Sequence, residues 1–295
     1  MRLTGVEFEG SVWVAVLHGS DVRLVAQVDV FYRDIDRYLA EARADLAGLP
    51  SLTSVAYRPP VPATAKVLCA GLNYRAHAAE ANQALPAHPD IFGRWASTLV
   101  SSGTAVPIPK GEDGLDWEGE LAVVVGSVLH HASPEEVQAS IVGYTCFNDL
   151  SARTHQLNAG QWTIGKNADK SGPIGPALVT PDEIGDPYQL RIRTLVDGVV
   201  MQDAMTSQML FTIGQIGAYA SDCMTLHPGD VIATGTPEGI GLTRTPPVLL
   251  QPGQVVEVEI DRIGTLTTPI VAGASASEFR QPEGSVVDNH VGVLS

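Results

Sequence analysis

The chain has 295 residues, 44% apolar and 17% charged, enough material for a substantial core in one large domain or a large plus a small one. A formal charge of -15 and a pI near 4.8 argue against nucleic acid and anionic membrane as partners, because both are held through Lys and Arg. The amino terminus lacks the basic start and apolar run of a signal peptide, and nothing approaches ~18 uninterrupted apolar residues, so a cytoplasmic protein is expected.

Residues 1 to about 60 alternate short apolar runs, such as Val12–Leu17 and Val22–Ala26, with turn residues, and add one charged helix near 33–47. The Pro59-Pro60-Val-Pro62 cluster marks a boundary, which predicts a small N-terminal α/β domain over 1–62. From Lys66 onward strands are predicted at Lys66–Gly71, Leu121–Val125, Ile141–Phe147, Gln189–Val196, Val231–Ala233 and Val255–Ile260. Helices are predicted at Asn73–Ala84, with Asn73 as N-cap, at Pro134–Ala139 and at Ser207–Ser221. The fold class is mixed α+β, mainly β, with a catalytic domain over 63–273 and a C-terminal tail over 274–295. Cys69, Cys146 and Cys223 lie in apolar surroundings without a C-x-x-C spacing and read as buried free thiols.

Asp116-Trp-Glu-Gly-Glu-Leu-Ala-Val-Val-Val-Gly126 sends two carboxylates, Glu118 and Glu120, into an otherwise apolar strand. Alternate residues of a strand share a face, so the two point the same way. An isolated E-x-E is more often the solvent face of an edge strand. A third acid, Asp149, sits where the strand Gly143–Phe147 breaks at Asn148-Asp149, and three carboxylates with open water positions suit a Mg²⁺-like ion.

His77 and Glu80 lie three apart on one predicted helical face, either as an ordinary surface pair or as an imidazole whose basicity a carboxylate raises. Lys166, in Trp162-Thr-Ile-Gly-Lys166-Asn167, is either a snorkelling surface lysine or a point charge for a carboxylate or oxyanion. Arg153 and Gln156 follow Asp149 and reach the same place if that segment is helical. The glycine-rich run Gly229–Gly241 lacks the ending and spacing of a phosphate loop; its amides and the Thr236 hydroxyl either line a pocket for a small acid or serve a tight turn.

Together, Gly71-Leu-Asn-Tyr-Arg-Ala-His77, Asp116-Trp-Glu-Gly-Glu120, Asn148-Asp-Leu-Ser-Ala-Arg153, Gly165-Lys-Asn167 and Thr234-Gly-Thr-Pro-Glu-Gly239 resemble the fumarylacetoacetate hydrolase family over about residues 64–272. The resemblance implies a β-roll around a central cavity, a homodimer, and Mg²⁺ or Mn²⁺, with Ca²⁺ as a third option, held by Glu118, Glu120 and Asp149. It further implies that His77 with Glu80 activates water, that Lys166 polarises the substrate, and that Arg153, Gln156 and Thr236 touch a 2-oxo acid. A lid over 73 to ~95 is implied to close on it. Tyr74 in the first motif and Arg94, which replaces a lysine common in relatives, are expected on the substrate wall, and His155 at a helix surface.

The activity so implied is hydrolysis of a C–C bond in an acylpyruvate-like 2,4-dioxo acid to pyruvate and a carboxylic acid. The alternative is a decarboxylase, an isomerase or tautomerase, or a deoxy-sugar-acid hydrolase or hydratase of the same fold, since all need a steadied enolate. A metal protein that binds oxo acids without turnover is a third class, against which the His77–Glu80 pair argues.

Overall fold

The computed structural model describes residues 1–273; the tail expected over 274–295 lies outside the described residues. The chain opens with β1 (Arg2–Phe8), β2 (Ser11–His18), β3 (Asp21–Gln27), α1 (Val28–Phe31), α2 (Ile35–Ala44), β4 (Ser51–Leu52) and β5 (Ala56–Arg58). Next come β6 (Lys66–Gly71), α3 (Arg75–Glu80), β7 (Asp90–Trp95), β8 (Leu99–Ser101), β9 (Val106–Pro107), β10 (Gly119–Val125), α4 (Pro134–Ala139) and β11 (Ile141–Asn148). They are followed by α5 (Arg153–Leu157), α6 (Thr163–Lys166), β12 (Gly172–Val179), α7 (Pro181–Ile184), β13 (Arg191–Val196) and β14 (Val199–Met205). The last elements are α8 (Ile213–Ser221), β15 (Val231–Ala233), β16 (Val255–Ile260) and β17 (Gly264–Val271).

Two sheets form. The larger has 12 strands along the path β4-β3-β2-β1-β12-β11-β10-β15-β6-β7, with β5 joined to β1 and β8 to β12; the smaller has 5 in the order β14-β13-β16-β17-β9. The amino-terminal strands belong to the larger sheet, because β1 pairs antiparallel with β12, Arg2 opposite Val179. At its centre β10 is buried throughout. Leu121, Val123 and Val125 join one core cluster with Ile192, Val258 and Leu266 of the smaller sheet, whereas Ala122 and Val124 join another with Val14, Phe31 and Leu178. A strand covered on both faces reads as an unbroken apolar run, and Leu121–Val125 is one.

Two helices differ from expectation. Residues 73–84 yield only the six-residue α3, with Tyr74 at its N-cap position. Asn73 does not cap it: its amide donates to the Thr234 and Phe211 carbonyls and accepts the Phe211 N–H, strapping three segments together. The helix predicted over 207–221 begins instead at Ile213, because Thr212 and Gln215 form a reciprocal capping box that satisfies the first-turn amides. Cys69 and Cys146 are buried as expected, but Cys223 is exposed, since it follows α8 where the chain returns to the surface. Among the described residues no helix is long and apolar enough to cross a membrane.

Candidate metal centre

Strand register assembles the acids. Gly119 of β10 pairs with Asn148 of β11, and the Asp149 N–H donates to the Glu118 carbonyl at 2.9 Å, so the end of one strand carries its carboxylate across to the neighbouring strand's start. One oxygen from each of Glu118, Glu120 and Asp149 lies within 4.8 Å of the others, and all three residues are buried.

Three cations and a fourth acid surround them. Lys166 of α6 donates to Glu118 Oε2 and Asp149 Oδ2, both at 2.6 Å. Arg153 of α5 donates to Glu118 Oε1 at 2.7 Å, to Asp116 Oδ2 at 2.8 Å and to Gln156 Oε1 at 2.7 Å. Arg94 of β7 donates to Asp149 Oδ1 at 2.6 Å, to the Leu150 carbonyl and to Ser171. Four buried carboxylates therefore meet three cations, one negative charge in excess.

The imbalance falls on Glu120. Burial opposes the charge on Glu118, but Lys166 and Arg153 outweigh it and hold that carboxyl down at about 2. Burial and the charges of Asp149 and Glu118 push Glu120 well above the usual carboxylate range, against the Lys166 charge and one N–H, from Gly235 at 2.9 Å. Burial lowers and the two facing carboxylates more than restore the Lys166 ammonium, which stays charged. An under-compensated, oxygen-only donor set fits a hard divalent cation. The residues that would hold it are Glu118, Glu120 and Asp149, with the Lys166 ammonium taking up part of the charge such an ion would neutralise.

The glycine-rich run explains itself here. Its amides serve carboxylates: Gly235 donates to Glu120, Gly239 to Glu80, and Gly241 and Leu242 to Asp116. Gly235 has φ +93°, and a Cβ there would lie 2.7 Å from the Ala70 carbonyl, so the amide reaches Glu120 only because the residue is glycine.

Glu118, of the three acids, lines a cavity of about 570 Å³ together with His77, Glu80, Arg153, Gln156, Lys166 and Thr236 among others. His77 Nδ1 lies 2.8 Å from Glu80 Oε1, while Glu80 Oε2 accepts from the Gly239 N–H and the Thr243 hydroxyl. Burial opposes ionisation of Glu80, but His77, Gly239 and Thr243 hold its pKa below the usual range. A carboxylate so fixed accepts a hydrogen bond from Nδ1–H, the tautomer that leaves the Nε2 lone pair as a proton acceptor. The Thr236 hydroxyl donates to the Gly119 carbonyl and accepts from Gln202, so it braces β10 from the cavity wall.

Two expected substrate residues stand elsewhere. Arg94 has a fully buried side chain and spends its donors on Asp149, Leu150 and Ser171, so it aims a metal-site carboxylate and does not line the cavity. Tyr74 is 1% exposed and absent from the lining, and its hydroxyl has no partner among the described residues; burial, then the Glu120 charge, oppose its ionisation. His155 is half-buried and bonded to Glu112 Oε1 at 2.5 Å. It lies on a larger cavity, about 850 Å³, that shares no residue with the one facing the acids. Asp116, Thr243 and Trp162 went unassigned in the sequence. Asp116 has the parity of Glu118 in the same run, which is a usable signal, but Thr243 and Trp162 have none.

Fold and site together define a mainly β protein with a carboxylate-built centre for a divalent cation beside an imidazole–carboxylate pair. Residues 66–271 match the family model described as fumarylacetoacetate (FAA) hydrolase, C-terminal. The chain belongs to the fumarylacetoacetate hydrolase family. The mitochondrial oxaloacetate tautomerase of Xenopus laevis is 38% identical over 272 residues, 90% of this chain and 85% of that one. Its named compartment differs from the cytoplasmic one expected from this amino terminus.

Two solved structures extend the comparison. The 2-hydroxyhepta-2,4-diene-1,7-dioate isomerase from Mycobacterium marinum is 32% identical with a TM-score of 0.73, covering 92% of this chain and 100% of that one. The maleylpyruvate hydrolase from Sphingobium sp. SYK-6, in complex with manganese(II) ion and pyruvate, is 27% identical with a TM-score of 0.76, covering 93% and 100%.

Proposed function

We propose that this chain is a divalent-metal-dependent enzyme that interconverts keto and enol forms of a 2-oxo acid. The observation that carries the proposal is one cavity lined both by the His77–Glu80 pair and by Glu118, the member of the Glu118–Glu120–Asp149 cluster that reaches it. Glu118, Glu120 and Asp149 would hold Mg²⁺ or Mn²⁺. When bound, such an ion supplies Lewis acidity that makes the protons next to a 2-oxo group easier to remove.

The chain's own groups do the rest. His77 Nε2 accepts the proton from C3 of the keto form and the enolate oxygen takes one from the imidazolium or from water to give the enol; the reverse path removes the hydroxyl proton and returns one to C3, while Glu80 steadies the charged imidazole in between. Gln156 offers its amide to the acid, and the Lys166 ammonium favours the build-up of negative oxygen charge. The tautomerase named among the relatives supports this order of preference over the cleavage expected first from the sequence. Oxaloacetate, named for that relative, is the reference substrate against which other 2-oxo acids are compared.

Cleavage of an acylpyruvate is the second reading, favoured by the hydrolase whose structure holds manganese and pyruvate. There His77 Nε2 would take the proton of a water attacking the distal carbonyl, and the C–C bond would break to give pyruvate and a carboxylic acid. Proton NMR in D₂O separates the two. Keto–enol equilibration and C3 deuteration faster than buffer with Mn²⁺, without acid products, support tautomerisation; stoichiometric pyruvate from acetylpyruvate supports cleavage; neither process above the buffer rate refutes both.

A further inference from the structure

We infer that the outer half of the cavity selects 2-oxo acids whose C4 substituent is neutral and apolar or aromatic, and disfavours a second carboxylate. The inference rests on the 2-oxo acid reading above and specifies its substrate class. Beyond the polar floor the wall is made by Leu72, Phe92, Leu157, Trp162, Ile240 and Leu242. Phe92 and Trp162 meet edge to face, ring centroids 5.4 Å apart at 79°. The indole is seated against Gly71, where a Cβ would lie 2.7 Å from its ring. Gly71 therefore lets a flat aromatic wall come against backbone.

This corner adjoins the reacting end. The Lys166 ammonium lies 5.3 Å from the centroid of the Phe92 ring, so a group one or two bonds beyond C3 of a bound 2-oxo acid enters the aromatic corner. A volume of about 570 Å³ leaves room well beyond a pyruvate unit.

Charge points the same way. Among the described lining residues the Lys and Arg cations are Lys166 and Arg153, and each is clamped by two carboxylates. The charged group on the outer wall is Asp90, an exposed carboxylate. A substrate carboxylate there would lose hydration against apolar side chains and face a like charge. An acyl or aryl tail would instead bury apolar surface.

The test compares kcat/KM for enolisation of three acids with a common 2-oxo head, benzoylpyruvate, acetylpyruvate and oxaloacetate, using the full chain with Mn²⁺. The inhibition constants of phenylpyruvate and 2-oxoglutarate give a readout independent of turnover. Benzoylpyruvate is expected to exceed oxaloacetate, and phenylpyruvate to bind tighter than 2-oxoglutarate, each by at least about tenfold. Leu157→Arg, at a position 64% exposed, should narrow both ratios by about tenfold; Leu242→Arg repeats the test if that variant does not fold. Preference for the dicarboxylates, or ratios unmoved by both variants, overturns the inference and leaves the 2-oxo acid reading standing. Absence of turnover and binding with every acid overturns that reading, and the inference with it.

Discussion

At the scale of single residues the account turns on division of labour around the acids. His77 is separate from the carboxylate cluster, so His77→Ala should keep Mn²⁺ affinity within about threefold while losing about two or more orders of magnitude in enolisation, the usual worth of a general base. A variant that turns over at the wild-type rate removes His77 from the chemistry. Glu80 gives a pH signature. Its carboxyl is held below the ordinary 4.5, so its ionised form adds stability that is present above that pH and lost as pH falls through the lowered value. Urea midpoints of wild type and Glu80→Gln should differ at pH 7 and converge below pH 4; a gap that grows on acidification contradicts the bonding described. Glu118, Glu120 and Asp149 were legible in the sequence because strand parity and a strand break expose them. Arg94 was not: its charge suggested a ligand partner outside the protein, and only the fold puts Asp149 beside it.

Among elements, the strands Lys66–Gly71, Val231–Ala233 and Val255–Ile260 and the helix Pro134–Ala139 were read to the residue. Ser133 followed by Pro134 and Glu136 forms a capping box, and α4 starts and ends where predicted. The helix at 207–221 was drawn too early because its apolar spacing continues upstream, whereas Thr212 decides the first turn. Thr212→Ala should accordingly cost about 1 kcal/mol in urea unfolding, with the cap's loss as the reason. No change would mean that tertiary packing alone fixes the start of α8. The segment 73–84 fell short of a full helix at both ends: Asn82 turns into the left-handed region at φ 53° just past the end, and Asn73 spends its side chain on Phe211 and Thr234, a contact between positions far apart in the chain that no local pattern announces.

For the whole molecule, the larger sheet brings β10, β11 and the loop after β15 to one end, where four acids, all ionised, would carry one more charge than the surrounding cations cancel. That surplus is the physical reason to expect an ion. Strand content was visible as apolar runs, while β12, β14 and β17 were missed because Gly, Pro and polar residues interrupt them. Calorimetric titration of Mn²⁺ into chelator-treated protein, with Glu120→Gln beside the wild type, is the most direct measurement. One ion per chain is predicted for the wild type, with affinity in the variant reduced by more than the roughly 10- to 100-fold that losing an outer partner costs. Equal affinity in the two proteins, or no binding by the wild type, would contradict the proposed centre.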